Sequence, residues 1–389
     1  MRRGAKGWGF LCVFAVATIA LAQEKTTFFR IVSPAGSGIS AFASDGKLTW
    51  TNAATDNVTC TVQRATTLTG PSNWVDYVQH PATNRTMALR VFDPAPPADM
   101  SLVPAGSFLM GNSKAASDNE TITGAAPVHP VYVSAFYMGK YEISWSKWSA
   151  VRDWSTANGY AYDGATTTGK GDAHPVIHVR WCDAVKWCNA LSQKEGLEPC
   201  YFTDPALTQV YRTGAVTNPS VAWAATGYRL PTEAEWEKAA RGGLSEKRFP
   251  WGDTITHSNA NYTSDNYYIY DTSLTRGTHP VYTTGAEPYT SPVGSFAPNG
   301  YGLYDMAGNA MEWCWDWYGS GYYATSPWWN PIGPASGGVS GVKRVIRDGN
   351  WYLKAPNSRT AYRTNYSPTY SGGLTTCFGF RVVRRSVAQ

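Results

Sequence analysis

Three stretches of the chain carry apolar residues at helical spacing. The first begins at Ser144, a capping residue type, and places Trp145, Trp148 and Val151 on one face. The second carries Trp181, Val185, Cys188 and Leu191 on one stripe and stops at Gly196, where left-handed backbone costs little. In the third, Thr232 and Glu235 stand in capping-box spacing, Trp236, Ala239 and Ala240 share a face, and Gly242-Gly243 is the stop. Glu237 and Arg241 lie one turn apart there, a pair worth about 0.3 kcal/mol on an exposed helix. Earlier in the chain the pattern is shorter. Segments 26–32, 47–52, 58–64 and 86–92 are rich in β-branched and aromatic residues, and Asp45-Gly46 is a hairpin turn signal. They predict a small all-β, sandwich-like domain over residues 23–95. A proline-rich joint at 93–99 separates it from a second domain, 96–389, which opens with a strand-like apolar alternation over 100–111. Beyond Gly243 periodicity fades and glycine, proline, asparagine and tyrosine dominate, so a loop-rich fold is expected.

The first 22 residues change where the protein is expected to work. Arg2, Arg3 and Lys6 precede an apolar run over 10–20, and Ala20-Leu21-Ala22 offers a small-x-small cleavage site, so residues 1–22 read as a signal peptide and the mature protein as secreted or periplasmic. The run is short for a bilayer span and no other segment approaches that length, so no stable membrane span is expected after cleavage. Removing it takes away three positive charges, and no basic run remains to suggest nucleic acid. With 43% hydrophobic and 16% charged residues, a packed core is expected rather than disorder. Of seven cysteines, Cys12 leaves with the signal. One disulfide within Cys182, Cys188 and Cys200 is expected, and Cys60 reads as a small buried hydrophobe. His174 and His178 bracket Pro175, which argues against a helical metal pair and for two structural histidines.

The stretch 299–318, NGYGLYDMAGNAMEWCWDWY, stands apart. Ordinary helices and strands do not favour its mixture of glycine, asparagine, carboxylates and tryptophan. Two readings fit it: an aromatic loop whose carboxylates bond backbone, or a metal-braced loop. In the second, Asp305 and Glu312 supply hard oxygens while Gly308 and Ala310 turn carbonyls inward, a donor set suited to calcium.

Taken in order, the strings VPAGSFLMG, KYEIS, YRLPTEAEWEKAARGG, FPWGD, NAN, PVGSF, NGYGLYDMAGNAMEW and GFRVVR closely resemble the sulfatase-modifying-factor family, whose founding activity is formylglycine generation. The resemblance runs from about residue 100 to 384. It implies an α+β, C-type-lectin-related fold with little regular secondary structure and structural calcium. Asp305, Gly308, Ala310 and Glu312 match the family's second calcium site. Asn261 and the Tyr262 carbonyl look like part of the first, with Asp265 and Asp271 as candidates to complete it. The catalytic part departs. The family places two copper(I)-binding cysteines after a Gly-Gly-Ser-Trp/Tyr motif; here that motif reads Asp348-Gly349-Asn350-Trp351, and the two positions hold Leu353 and Ser358. Neither side chain can act as such a ligand, so copper is not expected and no catalytic residue is assigned.

The expectation is therefore a calcium-stabilised binding or scaffold module without formylglycine-generating activity, presenting Trp313, Trp315, Trp317, Trp328, Trp329 and Trp351 to a peptide or glycan. The alternative is a metal-dependent oxidase acting on protein cysteine through a non-standard site. A remodelled pocket lined by Asn350, Trp351, Arg359 and Arg363 would take an anion, unless those arginines tie loops to buried carbonyls and carboxylates.

Overall fold

The computed structural model describes residues 28–32, 37–42, 47–52, 59–65, 75–81, 86–90, 97–114, 124–164, 166–336, 342–373 and 375–386, the six strands before residue 91 by their backbone. The expected signal peptide, the Asp45-Gly46 turn and the Cys60 side chain lie outside what is described. Two compact units result, one reaching Pro96 and the other comprising Pro97–Val103 and Ser107–Arg385.

The first unit contains β1 (Phe28–Val32), β2 (Ser37–Phe42), β3 (Lys47–Asn52), β4 (Thr59–Ala65), β5 (Val75–Pro81) and β6 (Thr86–Arg90). They form two three-stranded antiparallel sheets, ordered β1-β4-β5 and β2-β3-β6. Neither β2 nor β5 was expected: β2 is glycine- and serine-rich, and β5 ends on Pro81, which the alternation test penalises.

In the second unit, β7 (Met100–Val103) and β8 (Gly106–Met110) split the predicted strand at Pro104. β9 (His129–Val133), β10 (Phe136–Gly139), α1 (Trp145–Thr156), α2 (Trp181–Lys194), β11 (Tyr201–Phe202), β12 (Ser220–Val221), β13 (Tyr228–Arg229) and α3 (Glu233–Arg241) follow. After them come β14 (Met311–Trp317), β15 (Arg344–Arg347), β16 (Arg363–Tyr366), β17 (Phe378–Gly379) and β18 (Val383–Arg385). Two four-stranded sheets, β13-β18-β10-β7 and β16-β15-β14-β17, organise the unit, and the whole is α+β.

All three helices form where the periodicity placed them. Ser144 caps α1 by accepting from the Lys147 amide, Thr232 and Glu235 complete the capping box of α3, and Gly242 ends it in left-handed backbone at φ 56°. The amphipathic expectation is too modest, however. α2 is buried on every side from Trp181 to Ser192, and all nine residues of α3 are buried. The Glu237–Arg241 pair, expected on the surface, sits inside at 2.7 Å with neither side chain more than 5% exposed.

The larger correction concerns 311–317. This stretch is regular structure: β14 is a seven-residue strand, buried throughout, with β15 antiparallel on one side and β17 parallel on the other. Its sequence does alternate, Met311, Trp313, Trp315 and Trp317 against Glu312, Cys314 and Asp316, the period of a strand; what the pattern does not show is that Glu312 and Asp316 are buried as well. Around it, Trp148 stacks on Trp187 at 5.9 Å with Phe380 edge-on to both. The Arg344 guanidinium lies 3.9 Å from the Trp181 ring centre, 4.6 Å from Trp315 and 3.4 Å from Trp317, and its donors reach the carbonyls of Trp315 and Thr217. Ring quadrupoles and carbonyl dipoles stand in for a carboxylate partner.

Candidate functional site

The loop leading into β14 gathers buried charge. Asp305 and Asn309 adopt left-handed backbone at φ 52° and 64°, which these residue types tolerate better than most. Asn309 locks the loop: its amide nitrogen donates to Glu142 Oε2 at 2.6 Å, and its Oδ1 accepts from the Ser291 amide at 2.8 Å. Glu142 Oε1 in turn accepts from the Ala310 amide. Gly308 packs so closely on the Asn261 carbonyl that a Cβ would come within 2.3 Å of it, which requires glycine. On the opposite side, Asp348 Oδ1 accepts from Gly308 N and Gly349 N, both at 2.7 Å.

Four carboxylates therefore meet around one loop: Glu142, Asp305, Glu312 and Asp348, each no more than 6% exposed. Among the described residues Arg381 is the cation acting on all of them. Burial, reinforced by the charges of Asp305 and Glu312, pushes Glu142 well above the usual carboxylate range. Burial pushes Asp305 to about 6, and burial together with Glu312 raises Asp348 well above its ordinary value. The side-chain atoms left without a donor here are all acceptors: Asp305 Oδ1, Asp348 Oδ2 and Asn261 Oδ1. Excess negative charge with orphaned oxygens is the environment a hard cation satisfies. Among the described residues no three His, Cys, Asp or Glu side chains converge on one point, so such a cation would also draw on carbonyl oxygens.

Of the expected ligands, Asp305 leaves Oδ1 without a donor, whereas both oxygens of Glu312 have donors. Glu312 Oε1 accepts from Arg381 Nε and Nη2 at 2.8 and 2.7 Å, and Oε2 from Trp236 Nε1 and Arg381 Nε at 2.6 and 2.8 Å. Three N–H groups make these four contacts, the Arg381 Nε–H being shared between both oxygens. Glu312 is an anchor for Arg381 and α3.

At the other expected metal site Asn261 Oδ1 is one of the orphaned oxygens, so Asn261 passes the same test as Asp305, while its neighbours are engaged elsewhere. Asn261 donates through Nδ2 to the Tyr289 carbonyl at 2.8 Å. The Tyr262 carbonyl accepts from His257 Nε2 at 3.1 Å. Asp265 pairs with Lys354, and Asp271 is spent on Tyr262 Oη, Ser264 Oγ and Arg276. Neither aspartate is left to complete a site. His257 and His279, 4.9 Å apart between ring centres, organise this network; nothing in the sequence marked them, because their partners are remote hydroxyls and carbonyls. His174 and His178 are hydrogen-bonded to Thr290 and the Gly373 carbonyl, as structural histidines should be.

The expected anion pocket is absent as drawn. Asn350 spends its side chain on the Thr375 carbonyl and the amides of Tyr352 and Leu353. Arg363 makes two 2.6 Å contacts with Glu233 and donates to the carbonyls of Gly124 and Gly319. Arg359 is 3% exposed and donates to the Pro356 carbonyl. Trp351 is 1% exposed, with its indole N–H on Cys377 Sγ at 3.2 Å, and Trp313 is fully buried with its N–H on the Val179 carbonyl. These side chains tie loops together.

Nor do thiols gather at the positions after the Asp348–Trp351 motif. Leu353 packs against the main core, and Ser358 is buried with its hydroxyl unpartnered. Cys182, Cys188, Cys200, Cys314 and Cys377 are all free and buried. The expected disulfide is missing for a geometric reason in part: Cys182 and Cys188 share α2, where six residues of rise separate Cα atoms by about 9 Å, beyond disulfide reach. Burial raises all five thiols, to about 11 at Cys182 and Cys200 and about 12 at Cys377.

What is exposed lies elsewhere. Of the six tryptophans expected on a binding face, only Trp328 and Trp329 are exposed, at 46% each. Tyr132 stacks on Trp329 at 4.3 Å, and backbone bonds from Tyr132 to Trp328 and from Asn330 to Tyr132 hold the pair in place. A separate open groove of about 540 Å3 is lined by Lys343, Thr364, Asn365, Tyr366, Ser367 and Tyr370, on the β16 side of its sheet. Tyr366 and Tyr370 stack there at 5.6 Å.

Residues 89–386 match the model of the sulfatase-modifying factor enzyme 1-like domain. A formylglycine-generating enzyme of Thermomonospora curvata is 35% identical over 72% of this chain and 92% of its own. A protein of Paenibacillus barcinonensis named chaperone protein LppX is 30% identical over 74% of this chain and 89% of its own. Among solved structures, Treponema denticola variable protein 1 superposes with a TM-score of 0.54 at 28% identity, over 74% of this chain and 94% of that one.

Proposed function

From the premise that this chain belongs to the sulfatase-modifying factor enzyme 1-like domain family, we propose that it is an exported, calcium-braced binding or scaffold module that does not generate formylglycine. The observation that carries this reading is the state of the thiols. The two positions matching the family's cysteines hold Leu353 and Ser358, and the five described cysteines are buried with their thiols held protonated. Copper(I) is bound by thiolates, and a thiol raised to about 12 by burial is a poor source of one. The space beneath Trp351 holds the single thiol of Cys377 among Ile177, Ala310 and Tyr289. Family membership is compatible with such a role, since one relative is named a chaperone and another an enzyme.

In this reading calcium is held by Asp305 with the carbonyls of Gly308 and Ala310, and bound calcium supplies positive charge to a loop where Arg381 alone faces four carboxylates. The ligand, a peptide or glycan, meets the rigid Trp328–Trp329 pair and the Tyr366–Tyr370 groove, where aromatic faces stand beside amide, hydroxyl and ammonium groups.

The decisive experiment incubates the purified protein with copper, oxygen and a Cys-x-Pro-x-Arg peptide and looks for the aldehyde by mass spectrometry. Unchanged peptide is expected; robust turnover would overturn the reading in favour of an oxidase with a non-standard site. Peptide and glycan arrays, with Trp328→Ala/Trp329→Ala and Tyr370→Ala proteins beside the wild type, then locate the binding face. Saturable binding lost in one of the variants is expected, and weak, non-saturable signal across both arrays would count against a binding role.

A further inference from the structure

β16 is the outer strand of its sheet, laddered to β15. The phase of that ladder follows from bonds further in. The amides of Met311 and Trp315 point away from β15, to the carbonyls of Cys377 and Pro231, so Glu312, the alternate residue, turns to β15 and its partner Arg347 turns back to β14. Lys343, four residues before Arg347, does the same: its carbonyl accepts from Tyr318 N. Arg344 and Ile346 therefore face β16, where Tyr366 and Thr364 oppose them. The N–H and C=O of Asn365, between those two, point out of the sheet, and no described residue bonds either group. The open groove lies along this edge. Thr364, Asn365 and Tyr366 all line it, and consecutive strand residues send side chains to opposite faces, so the space they share lies beside the strand.

Resting on the binding reading above and narrowing it, we infer that this edge takes its ligand as an added strand: an extended peptide segment whose backbone pairs with Asn365, with an aromatic or aliphatic side chain against Tyr370 and a carboxylate at Lys343. Outward N–H and C=O groups of an edge strand are matched by the alternating donors and acceptors of another extended backbone, which a sugar ring does not offer. Tyr366 backs Tyr370 at 17° between ring planes, and Tyr370 is 44% exposed, so its ring is a flat apolar surface held in place beside that edge. Among the six lining residues the one charge is positive, on exposed Lys343. The edge is short. Pro368 has no N–H to give and follows the strand by two positions, so the backbone bonds at Asn365 set register while Tyr370 and Lys343 select sequence.

The test selects dodecapeptides from a phage-displayed random library on the full chain, resynthesises the strongest binder, and measures it by fluorescence polarisation against wild type, Tyr370→Ala and Lys343→Glu, with a melting temperature for each. Backbone N-methylation, one peptide amide at a time, tests the pairing without altering the protein. An acidic and an apolar residue in the binder are expected, with affinity at least tenfold weaker in each variant at an unchanged melting temperature. N-methylation at one position should cost tenfold or more, and at its immediate neighbours, whose amides point away from the edge, less than threefold. Tolerance of N-methylation at every position would overturn the inference, as would a binder indifferent to both variants. A glycan-array signal lost in Tyr370→Ala, with no peptide selected, would keep the binding reading and overturn the added strand. A dimer in light scattering that Tyr370→Ala splits would assign the edge to a second copy of the chain instead. A protein that binds neither peptide nor glycan fails the binding reading itself, before any variant is compared.

Discussion

Glu233→Gln is the substitution that separates a structural from a ligand-binding role for the buried arginines. Glu233 heads α3 and is 1% exposed, and its carboxylate takes two 2.6 Å bonds from Arg363, a 3.3 Å contact from Arg347 and the Tyr323 hydroxyl at 3.3 Å. Arg347 also holds Glu237 at 2.7 Å, which in turn holds Arg241. Removing the Glu233 charge leaves Arg347 with Glu237 but leaves Arg363 without an ion pair, held by the carbonyls of Gly124 and Gly319 and the rings of Tyr318 and Tyr323. Stranding one buried member of such a pair costs about 3–5 kcal/mol. Arg363→Met should cost less, because Glu233 keeps Arg347 and Tyr323. The double variant Glu233→Met/Arg363→Met should recover part of the Glu233→Gln loss, since apolar replacement of both partners removes two desolvated charges together. Urea unfolding at pH 7, read by tryptophan fluorescence, measures all three. A Glu233→Gln loss below about 1 kcal/mol would refute the structural assignment and reopen Arg363 to an anionic ligand.

Chelation gives a second check: with free calcium at 100 times its dissociation constant, EGTA should remove about 2.7 kcal/mol, roughly 5 °C of melting temperature, and an unchanged melt would remove calcium from the picture. Ser358→Ala should be neutral or stabilising by up to about 1 kcal/mol in the same urea assay, because the hydroxyl it deletes is buried without a partner; a loss above that would mean the hydroxyl has a partner after all. Burial lowers His174 and His178 below the ordinary histidine value near 6.5, so the unfolded chain binds more protons. Their contribution is complete above that value and is lost as pH falls from it towards the folded value. The urea midpoint should therefore drop between pH 7.5 and 5.5, and the drop should shrink in His174→Asn/His178→Asn; an undiminished drop would assign it to other groups.

The helices were legible in the sequence because their signals are local. Ser144, Thr232 with Glu235, and Gly242 act within one turn of themselves, and the structure uses each as a cap or stop. β14 was passed over although Met311, Trp313, Trp315 and Trp317 alternate with Glu312, Cys314 and Asp316; the glycine- and asparagine-rich loop before it drew the reading away from regular structure, and the burial of its polar face depends on remote partners. Site residues divided in the same way. Asp305, Gly308 and Asn309 announce an unusual loop through glycine and asparagine at left-handed positions. What occupies Glu312 was invisible, because Arg381 lies 69 residues away and Trp236 lies 76 residues away.

Charge is the quantity that sequence hides most thoroughly here. Glu237 and Arg241 look like a surface pair at helical spacing, and Arg359 and Arg363 look like free cations after a remodelled motif. Inside the fold every one of them is nearly dry, and the ordinary rule that a charged residue faces water fails for the same reason each time. α3 is packed on all sides by β9, β14 and β15, so its polar face needs partners rather than solvent, and arginines from β15 and β16 provide them. The loop before β14 is the counterpart with the sign reversed: four carboxylates, one guanidinium and three orphaned oxygens. The first cluster is closed by its own arginines. The second leaves Asp305 Oδ1, Asp348 Oδ2 and Asn261 Oδ1 without donors, which is why the proposed calcium is tested by the chelation melt rather than by an arginine substitution.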